Sequence, residues 1–439
     1  MEFAMRKSLA IISSYNEACG NASYTHVLAE EFAKHVDVDI IPLDLFLLQS
    51  RFPRVMRAAE KHIEEICAKV RHYDYVNIQF EMGLYGRDPM RAVKRVLKII
   101  GVAKNVIVTM HRIDYEASPK LKSFVRSVFR LSPYPFLHSR YERKATDAYF
   151  YFLKHIKRLN MRKNVSIMVH TKRERRILKY VFGIDNAVDF PITFLNKEKR
   201  SSYLFSSAEK FKKKYNIESG KKIVGVFGFI SAYKGFETAI RALDILPENY
   251  ILFIFGSQHP QSIEKNVPID PYIENILKDI DKTTSSYVGK MTKVNEGVVL
   301  ELAPVIKPVQ RQNIPLRDRI YFIGNVDDED FIEALRCCDA VVLPYIETGQ
   351  SMSGVAALTL EVKANSFFAN NLSFMELRKY FGDSFYRFDI GNYVELAQKI
   401  MNSQPGKFDE KLDKAYEKYN IEENIKLHLE MFRKGERVQ

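Results

Sequence analysis

Short apolar runs rich in β-branched and aromatic residues alternate along the chain with stretches whose apolar positions recur every three to four residues. That alternation is the signature of parallel α/β layers. In the first half it predicts strands at 8–13, 38–41, 75–80, 105–110 and 165–170. Their continuous apolar character suits strands covered on both faces. A second series restarts at Lys221-Lys222-Ile223-Val224-Gly225-Val226-Phe227-Gly228 and continues at 250–255, 319–323 and 339–343. The polar, Lys-rich stretch between the series reads as a hinge. The predicted organisation is a domain over 1–195, a hinge over 196–218, a domain over 219–405 and helices over 406–439 that pack across both. Residues 258–318 exceed what a strand-to-helix connection needs; with a helical piece at 272–280, they read as an elaborated loop over the cleft.

A chain of 439 residues fits two domains of ordinary size. Apolar residues make up 46% and charged residues 28%, which excludes a mostly disordered protein. The net charge of +13 is unevenly spread. Residues 1–200 hold 36 basic and 21 acidic side chains, residues 201–439 hold 31 and 33. A one-sided basic half points to an anionic partner or to a solubilising surface. Cys19, Cys67, Cys337 and Cys338 lack zinc-finger spacing and fit a reducing cytoplasm. The apolar run after the N-terminus is too short for a signal peptide, and no later run is long enough to span a bilayer, so any membrane contact is expected to be peripheral.

Residues with chemical potential follow the strands, where doubly wound domains bind ligands. After the first strand, Gly20 and Asn21 open a predicted helix, where free backbone N–H groups can meet an anion. Glu81 follows the third strand, and His111 and Arg112 follow the fourth. In the second half, Gly228-Phe229-Ile230-Ser231-Ala232-Tyr233-Lys234-Gly235 precedes a helix, and a lysine there can neutralise a leaving diphosphate. The pattern is neither a Walker A motif nor Gly-x-Gly-x-x-Gly. Tyr345-Ile346-Glu347-Thr348-Gly349-Gln350-Ser351-Met352-Ser353-Gly354 then leads into a small-residue helix. Its hydroxyl and amide groups suit phosphate or sugar hydroxyls, and Glu361 on that helix can accept bonds from ribose hydroxyls. Each of these residues also has a structural reading, as a turn glycine, a satisfied histidine or loop chemistry.

Taken in order, Gly228 with Lys234-Gly235, Phe255-Gly256-Ser257-Gln258-His259-Pro260, Ile323-Gly324-Asn325-Val326, Cys338-Asp339-Ala340-Val341-Val342-Leu343-Pro344-Tyr345 and the Gly-Gln-Ser-x-Ser-Gly turn resemble the nucleotide-sugar domain of a family 4-like glycosyltransferase, of the group 1 type. The resemblance spans about 8–400. It implies α/β architecture with two Rossmann-like, doubly wound domains facing across a cleft, the GT-B fold. It also implies retaining transfer of a sugar from a nucleoside diphosphate, UDP- or GDP-linked, with no catalytic metal or cofactor. By that resemblance Lys234 would stabilise the departing diphosphate, with Gly20 and the N–H groups of Gln350 and Ser351 close by. His111 would contact the donor sugar, Glu361 would hold the ribose, and Gly324, Asn325 and Val326 would frame the base with Tyr345 nearby. Asn21, Gly228, Gln258, His259, Ser353 and Gly354 complete the donor set. Two departures stand out. Phe229 occupies the place where many members carry an Arg, and Ser353 lies eight residues before Glu361 where many carry a first Glu.

Two basic amphipathic stretches lie in the first half. In one, Leu121, Phe124, Val125, Val128 and Phe129 alternate with Lys120, Lys122, Arg126 and Arg130. In the other, Tyr149, Phe152, Leu153 and Ile156 accompany Lys154, Lys157 and Arg158. Such helices can lie on an anionic membrane or can be ordinary domain helices. The first reading makes the acceptor a saccharide or lipid-linked glycan of the cell envelope or of an exopolysaccharide, with Glu81, Arg112, Arg126 and Arg130 on the acceptor or membrane side. The alternatives are a catalytically silent sugar-nucleotide or glycan binder, and a GT-B-fold sugar-nucleotide epimerase. Nucleic-acid binding rests on charge alone, without a recognition motif.

Overall fold

The computed structural model describes residues 6–15, 20–113, 134–258, 263, 269–281, 287–294, 297–304, 315–347 and 351–436. The chain forms two compact units, one of residues 1–191 with 421–439 and one of residues 192–420.

The first unit is built on β1 (Ser8–Ser13), β2 (Asp37–Pro42), β3 (Tyr75–Phe80), β4 (Asn105–Met110), β5 (Val165–Val169) and β6 (Val188–Asp189). They form one parallel sheet in the order β2-β1-β3-β4-β5-β6. Every residue of β3 and β4 is buried, which explains their apolar runs: helices cover both faces. The helix Pro89–Val102 shows how the covering works. Asp88 accepts from the Arg91 amide at its N-cap and Pro89 fills its first position, the arrangement that fixes a helix start. Ala92, Val93, Val96, Ile99 and Ile100 then point into the core, each large side chain contributing about 1.5–3 kcal/mol by burial.

The helix Tyr134–Leu159 packs on that one. Tyr149, Phe152, Leu153 and Ile156 are all buried in the core, and Phe152 stacks on Phe80 with ring centroids 4.7 Å apart. Of the two readings of this stretch the structure supports the domain helix: the stripe Tyr149, Phe152, Leu153 and Ile156 lies in the protein's own core, while Tyr141 and Phe150 of the same helix stay exposed. The other basic stretch, with Arg126 and Arg130, lies outside the described residues. The last helix, Ile421–Glu436, belongs to the first unit, where Phe432 stacks on Tyr75 at 4.5 Å.

The second unit contains β7 (Lys222–Phe227), β8 (Tyr250–Phe255), β11 (Ile320–Gly324), β12 (Ala340–Leu343), β13 (Ser366–Ala369) and β14 (Tyr386–Phe388). They form a parallel sheet in the order β11-β8-β7-β12-β13-β14. The stretch read as a hinge carries two helices, Lys197–Leu204 and Ala208–Lys214, N-capped by Asn196 and Ser207 and packed on the helix Asp328–Cys337. The stretch read as a loop over the cleft holds the helix Pro271–Asp281 and an antiparallel hairpin, β9 (Tyr287–Val294) with β10 (Gly297–Pro304).

Among the described residues, no helix is long and apolar enough to cross a membrane. No group of three or more His, Cys, Asp or Glu side chains among them could hold a metal ion.

Candidate functional site

In each sheet the strand order reverses at one point, where the loops leaving two neighbouring strands diverge and open a crevice. In the second unit that point lies between β7 and β12, so the residues after Phe227 and after Leu343 meet there. Their meeting depends on glycine. Gly235 has φ +65°, and a Cβ on it would lie 2.3 Å from the Pro344 carbonyl oxygen; Gly256, φ +149°, would put one 2.1 Å from the Gly228 oxygen. Main chain therefore packs on main chain at both places, which only glycine allows.

Lys234 ends the short 3-10 turn Ala232–Lys234 and is only 6% exposed. Its ammonium donates to the Tyr345 hydroxyl and lies over the Tyr345 and Tyr233 rings, 4.0 and 5.2 Å from their centroids. It also fills the space beside Gly228, whose Cβ would stand 3.0 Å from Nζ. Burial lowers the pKa of Lys234 from its ordinary value, because a desolvated cation is costly without an anion. Burial likewise raises that of Tyr345, against a hydrogen bond with Ser353 that pulls it down. The arrangement is a buried cation held by aromatic side chains at a sheet switch point, suited to receiving a negative group.

Ser353 caps the helix Gly354–Glu361 by accepting from the Ala356 amide at 3.4 Å. Ser351 is buried, and its carbonyl accepts from the Ser373 hydroxyl. Gly354 lies against the Phe194 ring, where a Cβ would be 3.0 Å away. Gln258 bridges to Ile230 through the main chain. Gly324 follows with φ +82°, its carbonyl accepting from the Gly256 amide at 2.8 Å, and Asn325 and Val326 continue into a partly exposed turn. His259 and Gln350 lie outside the described residues.

Glu361 departs from expectation. Its carboxylate is 2% exposed and accepts from the Phe194 amide at 3.1 and 3.2 Å and from the Leu195 amide at 3.3 Å. Burial pushes its pKa up to about 8, against those amides and the Arg200 guanidinium. A carboxylate so enclosed has no surface to offer ribose hydroxyls; in this structure it braces the chain at 194–195. Arg200 continues the brace, donating to the Glu361 carbonyl and pairing with Asp413 at 2.7 Å.

In the first unit the switch point lies between β1 and β3. Asn21 donates to Glu81 at 2.7 Å, joining two expected residues across that point. Gly20 opens the helix Gly20–Phe32 with open space around it. Arg112 is exposed, and its carbonyl accepts from the Tyr149 hydroxyl at 2.7 Å. His111 is partly exposed, and both of its ring nitrogens are engaged: Nε2 with Gln79 at 2.8 Å and Nδ1 with His170 at 3.2 Å. Gln79 and His170 were not expected. Their signals were polar residues at alternate positions of an otherwise apolar strand, Asn77 and Gln79, and a second histidine directly after a strand.

No known family profile matches the chain, and no curated protein resembles it in sequence. Solved structures do match. Sucrose-phosphate synthase from Thermosynechococcus elongatus aligns at a TM-score of 0.63 with 14% identity, over 99% of this chain and 100% of that one. Anabaena HepE, crystallised with UDP, gives 0.60 with 13% identity over 97% and 99%. WaaG, a glycosyltransferase of lipopolysaccharide biosynthesis, gives 0.53 with 13% identity over 93% and 94%. At such identities the likeness is one of fold, and over nearly the whole chain it is the two-domain, Rossmann-like GT-B fold of glycosyltransferases.

Proposed function

We propose that the protein is a retaining glycosyltransferase that moves a sugar from a nucleoside diphosphate, UDP- or GDP-linked, to a saccharide or lipid-linked acceptor in envelope, exopolysaccharide or other glycoconjugate synthesis. The observation that carries the reading is the buried cation of Lys234 at the switch point of the second sheet, which meets aromatic rings and hydroxyls but no carboxylate among the described residues. A departing diphosphate supplies the anion this cation lacks, and preorganised positive charge in a desolvated site stabilises such a leaving group strongly. The likeness to HepE, whose structures hold UDP-glucose, supports a UDP-linked donor.

In the proposed reaction the bond from the sugar's anomeric carbon to the diphosphate breaks. The acceptor oxygen attacks from the same face, and its proton passes to the departing phosphate oxygen. Lys234 balances the charge in place of a metal ion. Within the second unit Ser351 and Ser353 are assigned to the donor, and within the basic first unit Gly20, Asn21 and His111 are the candidate donor residues and Glu81 and Arg112 the candidate acceptor residues. Placement on the inner face of a membrane, as a peripheral protein, follows from that basic unit and an anionic acceptor surface.

A silent sugar-nucleotide binder is the second reading, favoured by Phe229 and Ser353 standing where charged donor contacts are common. Substitution Lys234→Met separates the two. A transferase loses turnover by about two to three orders of magnitude while keeping its fold; a silent binder shows no turnover to lose.

A further inference from the structure

The first unit holds a string of polar side chains that runs from the middle of β3 to the carboxyl ends of β4 and β5. Thr109 Oγ1 is 3.3 Å from Asn77 Nδ2, Asn77 Oδ1 is 2.5 Å from Gln79 Nε2, and Gln79 Oε1 is 2.8 Å from His111 Nε2. His111 Nδ1 is 3.2 Å from His170 Nε2, and His170 Nδ1 is 3.2 Å from the Phe190 carbonyl oxygen. Of these five side chains all but His111 are buried.

The direction of this string follows from its fixed end. A carbonyl only accepts, so His170 Nδ1 carries a hydrogen. Burial lowers the pKa of His170 to about 4, so the ring is neutral and its Nε2 is bare. His111 Nδ1 must then be the N–H that His170 accepts. Burial and the neighbouring His170 also hold His111 well below the ordinary histidine range, which leaves its Nε2 bare as well. The two ends of a carboxamide have the same shape. Turning Gln79 and Asn77 half a revolution puts the Gln79 NH2 on His111, the Asn77 NH2 on the Gln79 oxygen and the Thr109 hydroxyl on the Asn77 oxygen. Each contact then joins one donor to one acceptor. The opposite sense sets a bare His170 Nδ1 against the Phe190 carbonyl unless the buried pair takes an extra proton.

We propose that His170 is a positioning residue that holds His111 with its proton on Nδ1, so that His111 Nε2 meets a substrate hydroxyl as a hydrogen-bond acceptor and not as a donor. A sugar hydroxyl that displaces the Gln79 amide finds a bare nitrogen. The functional half of this inference rests on His111 facing the donor sugar; the tautomer does not.

The test is two-dimensional ¹⁵N–¹H NMR of the imidazoles in the full-length protein at neutral pH, in the wild type and in His170→Leu and His170→Gln, with melting curves to confirm folding. The wild type is expected to show His111 and His170 neutral with Nδ1–H. His170→Leu removes the acceptor and moves His111 to Nε2–H, whereas the Gln oxygen restores Nδ1–H. Turnover falls about tenfold in His170→Leu, a difference equal to about 1.4 kcal/mol, and recovers in His170→Gln with KM little changed. A wild-type His111 protonated on Nε2, or a tautomer unmoved by His170→Leu, overturns the proposal. If no nucleotide sugar is turned over by the wild type, the transferase reading fails while the tautomer result stands on its own.

Discussion

The ammonium of Lys234 is hydrogen-bonded to the hydroxyl of Tyr345 and lies 4.0 Å from the centroid of the same ring. The two residues come from loops more than a hundred positions apart, brought together because β7 and β12 are neighbours in the sheet. Tyr345→Phe keeps the ring and removes the acceptor. The expected outcome is an affinity for nucleoside diphosphate weaker by about tenfold or more, about 1.5–3 kcal/mol for one hydrogen bond to a charged group, with an unchanged fold. Calorimetric titration of the variant checks it.

Lys234→Arg is not a conservative change here. The planar guanidinium needs a broader partner surface than the pocket between Tyr345, Tyr233 and Gly228 provides. Turnover is expected to stay close to that of Lys234→Met in the same steady-state assay.

The glycine positions separate structural from functional need. Gly235→Ala and Gly256→Ala each force a Cβ into a carbonyl oxygen, in backbone with φ of +65° and +149°. Each is expected to cost more than about 2 kcal/mol. Gly20→Ala meets open space and should shift stability by less than about 0.5 kcal/mol, so any loss of activity in that variant reports on the ligand. Denaturant unfolding of the three proteins decides the order.

Glu361 gives stability a pH dependence of known sign. Its pKa is about 8 in the folded protein against an ordinary 4.5. The unfolded chain therefore releases this proton first, and folding loses stability as pH rises through the window from about 4.5 to about 8, at about 1.4 kcal/mol per unit of separation. Below that window the contribution is fully present. Glu361→Gln keeps the oxygen that meets Phe194 and Leu195 and cannot ionise. Its unfolding free energy is expected to be flatter over that window than the wild type's.

Much of the fold was legible in the sequence because buried parallel strands write themselves as apolar runs. β3, β4, β7 and β8 lie within a residue of where the pattern put them. β6, β13 and β14 did not stand out, since two to four residues are too few to show a period. The basic stretch around Tyr149 is ambiguous in the sequence for a different reason: an amphipathic helix on a domain core and one on a membrane share the same spacing. At the site, Lys234 and Tyr345 were legible from their positions after strands. The enclosure of Glu361 was not, because nothing local announces that Phe194 and Leu195 present their amides to it. His170 is not legible as a site residue, because its meaning comes from its pairing with His111, 59 positions away.

The most direct test of the account is a thermal melt of the wild type and of Lys234→Met with and without UDP, GDP and their glucose and mannose conjugates. A ligand that binds only the folded chain raises the melting temperature. The account predicts a rise with one nucleotide family in the wild type and its loss in Lys234→Met, with both proteins folded at the start. A rise of the same size in both would show that the diphosphate does not rest on Lys234, and no rise with any nucleotide in folded wild type would contradict the donor-site assignment itself.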